Sequence, residues 1–254
     1  MIDRVLAPNP GPMTLDGTNT WLLGDPAGPR VVVDPGPDDD AHLDAIASAA
    51  PGGIAEIWLT HHHHDHLDAV PELADLTGAL VRSWWDPDRL EVTLDRWERL
   101  ADGQRLAAGG LAATVLHIPG HTSDSVGFLV AGEEPVLLTG DMVLGRGTTV
   151  IMHPDGDLGA YLASLARMRA AVDDHAIRSL LPGHGPVVDE PAGVLDHYRR
   201  HREQRLDQVR AALAGGAETA EQVVDTVYAD TDPAVREAAL SSVRAQLAYL
   251  REIS

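Results

Sequence analysis

Residues 58–69 read WLTHHHHDHLDA, an interior run of imidazoles with one carboxylate. These are the side chains that bind divalent metals when cysteine is absent, and this chain has no cysteine. On an extended segment residues two apart share a face, so His61, His63 and Asp65 project together while His62 and His64 point away. His66, at the start of a helix reading HLDAV, can swing back toward Asp65. The pattern His-x-His-x-Asp-His is enough to begin two metal sites. His62 and His64 are expected to support or pack rather than ligate.

Three further segments offer one ligand type each. IPGHTSDS places His121 after an apolar run, LLTGDMVLG places Asp141 after another, and LLPGHGPVV places His184 after a third. A neighbouring glycine lets the backbone turn sharply and approach a bound ion. Taken singly, a histidine after a strand is usually solvated and a Gly-Asp pair is usually a turn. The conjunction of all three with the histidine run argues for a metal site.

The elements that must position these residues are short and β-like through the first two-thirds: 20–24, 30–36, 54–60, 79–85, 112–118, 126–130, 135–141 and 177–183. Helical patterns fall near 41–50, 67–77 and 157–173, which predicts an α/β fold with helices packed on sheets. From Leu195 onward the pattern is helical only, with helices expected at 195–213, 218–228 and 233–252. Thr219 with Gln222, and Thr231 or Asp232 before Pro233, read as helix starts. This predicts two domains, residues 1–192 and a small helical domain over 193–254, with room for one short β-wing.

Composition narrows the function. At 254 residues the chain can bury one substantial core, and its net charge of -20 disfavours polyanions at long range. All 19 basic side chains are arginines. No apolar run is long enough to span a bilayer and no secretory leader is visible, so the expected location is cytoplasmic, with no membrane partner.

In this order and after these strands, THHHHDH, PGHT, TGD and PGHG resemble the metallo-β-lactamase superfamily. The resemblance implies an αββα metallo-β-lactamase sandwich over roughly residues 5–190, with a two-metal site at one edge of the sheets. It implies one metal on His61, His63 and His121, a second on Asp65, His66 and His184, and Asp141 bridging. PNPGPMTLDGTNTWLL, GDMVLGRGTTV and HYRRHREQRL resemble the β-lactamase-like protein 2 subgroup, which carries a winged-helix-like C-terminal domain. Members include single-strand ribonucleases, and related enzymes hydrolyse acyl thioesters on carrier proteins.

Two ions of this kind share a hydroxide whose pKa falls into the neutral range, so the expected enzyme is a binuclear metallohydrolase attacking an ester, thioester or phosphodiester. Asp65 and Asp141 are the expected catalytic carboxylates: Asp65 orients the nucleophile and accepts its proton, and Asp141 neutralises charge between the cations. Zinc suits this ligand set, with manganese or iron as alternatives. The resemblance also implies that lactam-cleaving members usually lack the bridging Asp and that one major class uses a cysteine ligand, so Asp141 and the missing cysteine disfavour a true β-lactamase.

The substrate stays open between a small-molecule or carrier-bound acyl group and single-stranded RNA. The arginines of YRRHREQRLDQVR (Arg199, Arg200, Arg202, Arg205, Arg210) either track phosphates or pair with Asp196, Glu203 and Asp207 on a solvated helix. A non-catalytic protein with structural metals is the alternative of a different class. Asp34 reads equally as a turn residue or as a support for a ligand imidazole. Thr18, Asn19 and Thr20 read as turn chemistry or as bonds near the site, and Thr148 and Thr149 as an entrance. His153 reads as a loop histidine or substrate contact, and Trp84 and Trp85 as core or pocket wall.

Overall fold

The structure is a computed structural model and describes residues 1–229 and 233–253. The proposed helix starts at Thr231 and Asp232 lie outside the described residues. Among the described residues, eleven strands form two sheets. The first contains β1 (Ile2–Leu6), β2 (Asn19–Leu23), β3 (Arg30–Val33), β4 (Ile54–Trp58), β5 (Leu80–Ser83) and β6 (Trp97–Arg99), in that spatial order. The second runs β11 (Ser179–Pro182), β10 (Val136–Gly140), β9 (Val126–Val130), β8 (Leu111–His117), β7 (Arg105–Ala108).

Strand alternation builds the layers. Trp21 and Leu23, Val31 and Val33, Phe128 and Leu138 point between the sheets. Their neighbours Leu22 and Val32 face outward, onto α1 (Asp40–Ala49), α2 (His64–Leu67) and α3 (Val70–Thr77). Leu129, Leu137 and Leu180 face the other way, onto α5 (Leu158–Asp174). A run that is apolar at every position is what a strand buried on both faces requires. The short helix α4 (Pro87–Leu90) follows β5. The result is the αββα sandwich.

The C-terminal helices are α6 (Pro191–Ala214), α7 (Ala220–Val227) and α8 (Arg236–Glu252), with a 3-10 turn at Pro233–Val235. The expected start of α7 carries a full capping box: the Thr219 side chain accepts from the Gln222 backbone, and Gln222 accepts from the Thr219 backbone. Leu195, Leu206, Val209, Val224, Leu240 and Val243 join the core of α5 rather than forming one of their own. Among the described residues no strand follows β11, so no β-wing is seen there. No described helix is long and apolar enough to cross a membrane.

Strand direction puts the functional loops together. β3 and β4 run parallel, as do β10 and β11. β8 opposes β9, which opposes β10, so β8 points the same way as β10 and β11. The turns after β3, β4, β8, β10 and β11 therefore open at the ends of their strands, the edge where α/β proteins assemble sites. Hydrogen bonds stitch the two sheets there: the Val126 amide donates to Thr60 (2.8 Å), and the Asn19 amide to Gly183 (2.7 Å).

Candidate metal centre

The histidine run is less extended than its spacing suggests. Residues 61–63 are irregular, and α2 begins at His64. Asp65 and His66 therefore reach the site from the first turn of a helix, whereas His61 and His63 reach it from the chain before it. Strand alternation is not what aligns Asp65.

All seven expected ligand residues meet at this edge. The nitrogens of His61, His63 and His121 lie within 4.8 Å of one another, as do the ligand-capable atoms of Asp65, His66 and His184. His63 Nδ1 is 3.1 Å from both His61 Nε2 and His121 Nε2. His184 Nε2 is 3.3 Å from His66 Nε2 and 3.1 Å from Asp65. Asp141 stands between the groups, 3.6 Å from His66, 3.4 Å from His184 and 3.9 Å from His121. Its Oδ1 is buried and makes no hydrogen bond.

The supporting hydrogen bonds fix the tautomers. His121 Nδ1 donates to the Val150 carbonyl (2.6 Å) and His184 Nδ1 to the Gly17 carbonyl (3.1 Å). His66 Nδ1 donates to Asp34 (3.0 Å). Thr60 gives its hydroxyl proton to Asp34 (2.7 Å) and so accepts from His61 Nδ1 (3.0 Å). Four imidazoles thus turn Nε2 inward, and His63 turns Nδ1 inward. This is how proteins set histidines for a metal.

The electrostatics divide the cluster. Burial, reinforced by the His66 and His63 charges, pushes His61 well below the usual imidazole range. Burial and His121 push His63 down to about 3, and burial lowers His121. These three are neutral donors. On the other side burial opposes charge but is outweighed. Asp65, Asp34 and Asp141 raise His66 to about 9, and Asp141 with Asp65 raises His184 to about 11. Asp65 is held down to about 2, chiefly by His66 and His184 against its burial. Asp141 is likewise driven well below the usual carboxylate range by His184 and His66. Negative charge concentrates where a cation would sit, and the donor set fits one.

Local backbone geometry makes the convergence possible. A Cβ on Gly183 would lie 2.5 Å from Asp141 Oδ1 and 2.7 Å from His66, so only glycine fits beside these side chains. Asp34 has φ +52°, in the left-handed region that costs most side chains energy. It is buried and also accepts from the Thr60 amide (2.8 Å), which resolves its role in favour of holding His66. Asn19 donates to the Pro182 and Gly185 carbonyls (2.9 and 2.8 Å), pinning the loop that carries His184.

Other expectations resolve individually. His62 stacks on Trp85 and bonds Asp124 (2.8 Å), and solvent-exposed His64 bonds Asp68. Trp84 stacks on His117. His153 is an exposed loop residue. Thr149 touches His121 Nδ1 (3.3 Å), and with Thr148 it lines a cleft of about 180 Å³ reaching His121 and Asp141. Larger hollows of about 720 and 920 Å³ touch none of the seven ligand residues.

The role of Thr60 carries no sequence signal beyond its adjacency to His61. Nor does any motif announce that Arg202, Ser241 and Ser242 of the C-terminal helices brace the 149–151 segment behind His121. Of the other arginines, Arg199 pairs with Glu203 and Arg210 with Asp207, the ordinary pairing of a solvated helix.

A family model described as metallo-beta-lactamase superfamily matches residues 13–184, and one described as beta-lactamase associated winged helix domain matches residues 219–252. A beta-lactamase-like protein 2 homolog of Caenorhabditis elegans is 35% identical over 98% of this chain and 83% of its own. An atrochrysone carboxyl ACP thioesterase, dmxR1 of a Cryptosporiopsis species, is 33% identical over 93% of this chain and 75% of its own. The crystal structure of a metallo-beta-lactamase family protein from Thermus thermophilus superposes with a TM-score of 0.79 at 24% identity, over 99% and 93% of the two chains. That last likeness speaks for the fold.

Proposed function

Because this chain belongs to the metallo-beta-lactamase superfamily and is a hydrolase of that fold, we propose that it is a binuclear, zinc-dependent hydrolase of acyl thioesters. The observation that carries this reading is Asp141. Its buried, unpartnered Oδ1 stands between two histidine groups, the position of a carboxylate shared by two cations. His61, His63 and His121 would hold one ion, and Asp65, His66 and His184 the other. Bound divalent ions supply Lewis acidity toward the acyl carbonyl and a water whose pKa falls near neutrality.

The side chains do the rest. His121 and Asp141 reach the floor of the cleft, and Met13, Leu15 and Leu144 along it offer apolar surface to an acyl group. Asp65, held to about 2, remains a carboxylate under all ordinary conditions. That suits orienting a water more than accepting its proton permanently. The thioester substrate is suggested by the relatives named as ACP thioesterases. The pairing of Arg199 and Arg210 leaves less of α6 free to track RNA than the sequence allowed. We divide the chain into a catalytic domain over 1–192 and a helical domain over 193–254.

Zinc-loaded protein is expected to release free thiol from acyl thioesters, with no release by an Asp65→Ala, Asp141→Ala double variant. Cleavage of end-labelled single-stranded RNA without thioester turnover would overturn the substrate assignment. Within the site, Asp34→Asn is expected to weaken metal affinity or activity roughly 10- to 100-fold. Asparagine tolerates the left-handed backbone, so the loss reads the carboxylate's bonds to His66 and to the Thr60 hydroxyl behind His61 rather than the turn. Unchanged affinity in a metal titration would make Asp34 a turn residue only.

A further inference from the structure

A second cavity, of about 260 Å³, lies against the cleft. Pro12, Thr148, Thr149 and Val150 line both hollows, and the far wall comes from the C-terminal helices. In a chain of net charge -20, the described residues around this cavity include His201, Arg202 and Arg205 and no carboxylate.

The two arginines differ from their neighbours on α6. Arg199 and Arg210 each have an acidic partner. Arg202 is 3% exposed, and among the described residues no carboxylate pairs with it. It donates to the Thr149 carbonyl (2.5 Å) and lies 5.0 Å over the Tyr161 ring, while its Nε has no partner. Arg205 donates to Gln208 and to the Val227 carbonyl, lies over Tyr228, and likewise has no acidic partner among the described residues. His201 Nδ1 is buried and unpartnered. Burial first, and then the charges of Arg202 and Arg205, hold that imidazole down to about 4, so it is a neutral ring with one N–H to offer.

A buried cation without a counter-ion is costly, and an oxyanion entering here would relieve that cost while accepting charge-assisted hydrogen bonds. The cavity is also close to the chemistry, since Thr149 contacts Arg202 through its carbonyl and His121 through its hydroxyl.

We propose that this cavity is an oxyanion subsite, built by Arg205, Arg202 and His201, for a carboxylate or phosphate that the substrate carries away from its scissile bond. The proposal rests on the thioesterase reading. The anion has two possible sources: a carboxylate at the far end of the acyl chain, or the phosphate of the pantetheine arm that presents the thioester.

Two substrate pairs separate the sources: glutaryl against pentanoyl N-acetylcysteamine thioester, and pentanoyl 4'-phosphopantetheine against pentanoyl pantetheine. The anionic member of one pair is expected to be preferred roughly tenfold or more in kcat/KM. Arg205→Gln with His201→Gln should erase that preference through KM. Turnover of the neutral members should be unchanged, which also shows that the variant is folded. Absence of any preference, or its survival in the variant, overturns the proposal.

If metal-loaded protein hydrolyses none of the four, the thioesterase reading falls. The subsite is then decided by titrating glutarate or 4'-phosphopantetheine against the His201 ring signals in NMR. A shift that Arg205→Gln abolishes supports it, and no shift overturns it.

Discussion

Asp141→Ala is expected to lower kcat about 100- to 1,000-fold and to leave the fold intact. The expectation follows from where the carboxylate stands. Its side chain is 10% exposed, its Oδ1 makes no hydrogen bond, and it lies within 3.4–3.9 Å of nitrogens from His184, His66 and His121. Burial works against its ionisation, and the surrounding imidazoles overcome this. It therefore contributes a fixed negative charge where two cations would approach each other. Losing a preorganised charge of this kind typically costs about 3–4 kcal/mol of transition-state stabilisation. Steady-state kinetics on a thioester, with circular dichroism as a check on folding, measures it. A variant that folds normally and retains a tenth of wild-type turnover would contradict the assignment.

Chelation gives the second large effect. Removing the ions should abolish turnover and lower Tm by about 5–10 °C for each site emptied. A ligand held at a hundred times its Kd stabilises the native state by about 2.7 kcal/mol, and a chain of this size shifts about 2–4 °C per kcal/mol. The stripped protein should still be folded at pH 7, because His66 and His184 are then protonated among Asp34, Asp65 and Asp141.

The pH dependence of that stripped form has a definite sign. His66 and His184 are raised, so their stabilisation is complete below the ordinary histidine pKa and fades as pH climbs through about 9 and then about 11. Asp65 and Asp141 are lowered, so theirs is present above the ordinary carboxylate pKa and is lost as pH falls below it, for Asp65 toward about 2. His61, His63 and His121 are depressed and add destabilisation below about pH 6.5. Thermal melts of chelated and metal-loaded protein from pH 4 to 10 test this. A chelated Tm that rises steadily from pH 7 to 10 would contradict the charge assignment.

Much of this could be read from the sequence because it is written locally. Runs such as LLTGD and LLPGH are apolar, end in a turn and carry one expected ligand apiece, so strand and site were legible together. The β9 strand lay where it was expected at 126–130, and the capping box at Thr219 and Gln222 was visible as a spacing.

What was illegible depends on pairing and packing that the side chains of a segment do not announce by themselves. β6 has only Trp97 to mark it among charged residues, and β7 is four residues long. Both are strands because β5 and β8 offer them hydrogen-bonding edges. The helix at His64 begins two residues earlier than the apolar pattern suggested, and α6 begins at Pro191 rather than Leu195. In each case backbone hydrogen bonding extends past the apolar signal. Arg202 looked like one cation in an arginine-rich face. Its burial against Thr149 is a tertiary fact that no spacing encodes.

The central claim is that these seven side chains hold two divalent ions around Asp141. Anomalous diffraction at the metal absorption edge, from crystals of active protein, tests it most directly. Two peaks are expected at coordination distance, about 2.0–2.2 Å: one from the inward nitrogens of His61, His63 and His121, the other from Asp65, His66 and His184, with Asp141 reaching both. A single peak, or two peaks with Asp141 bound to neither, would contradict it.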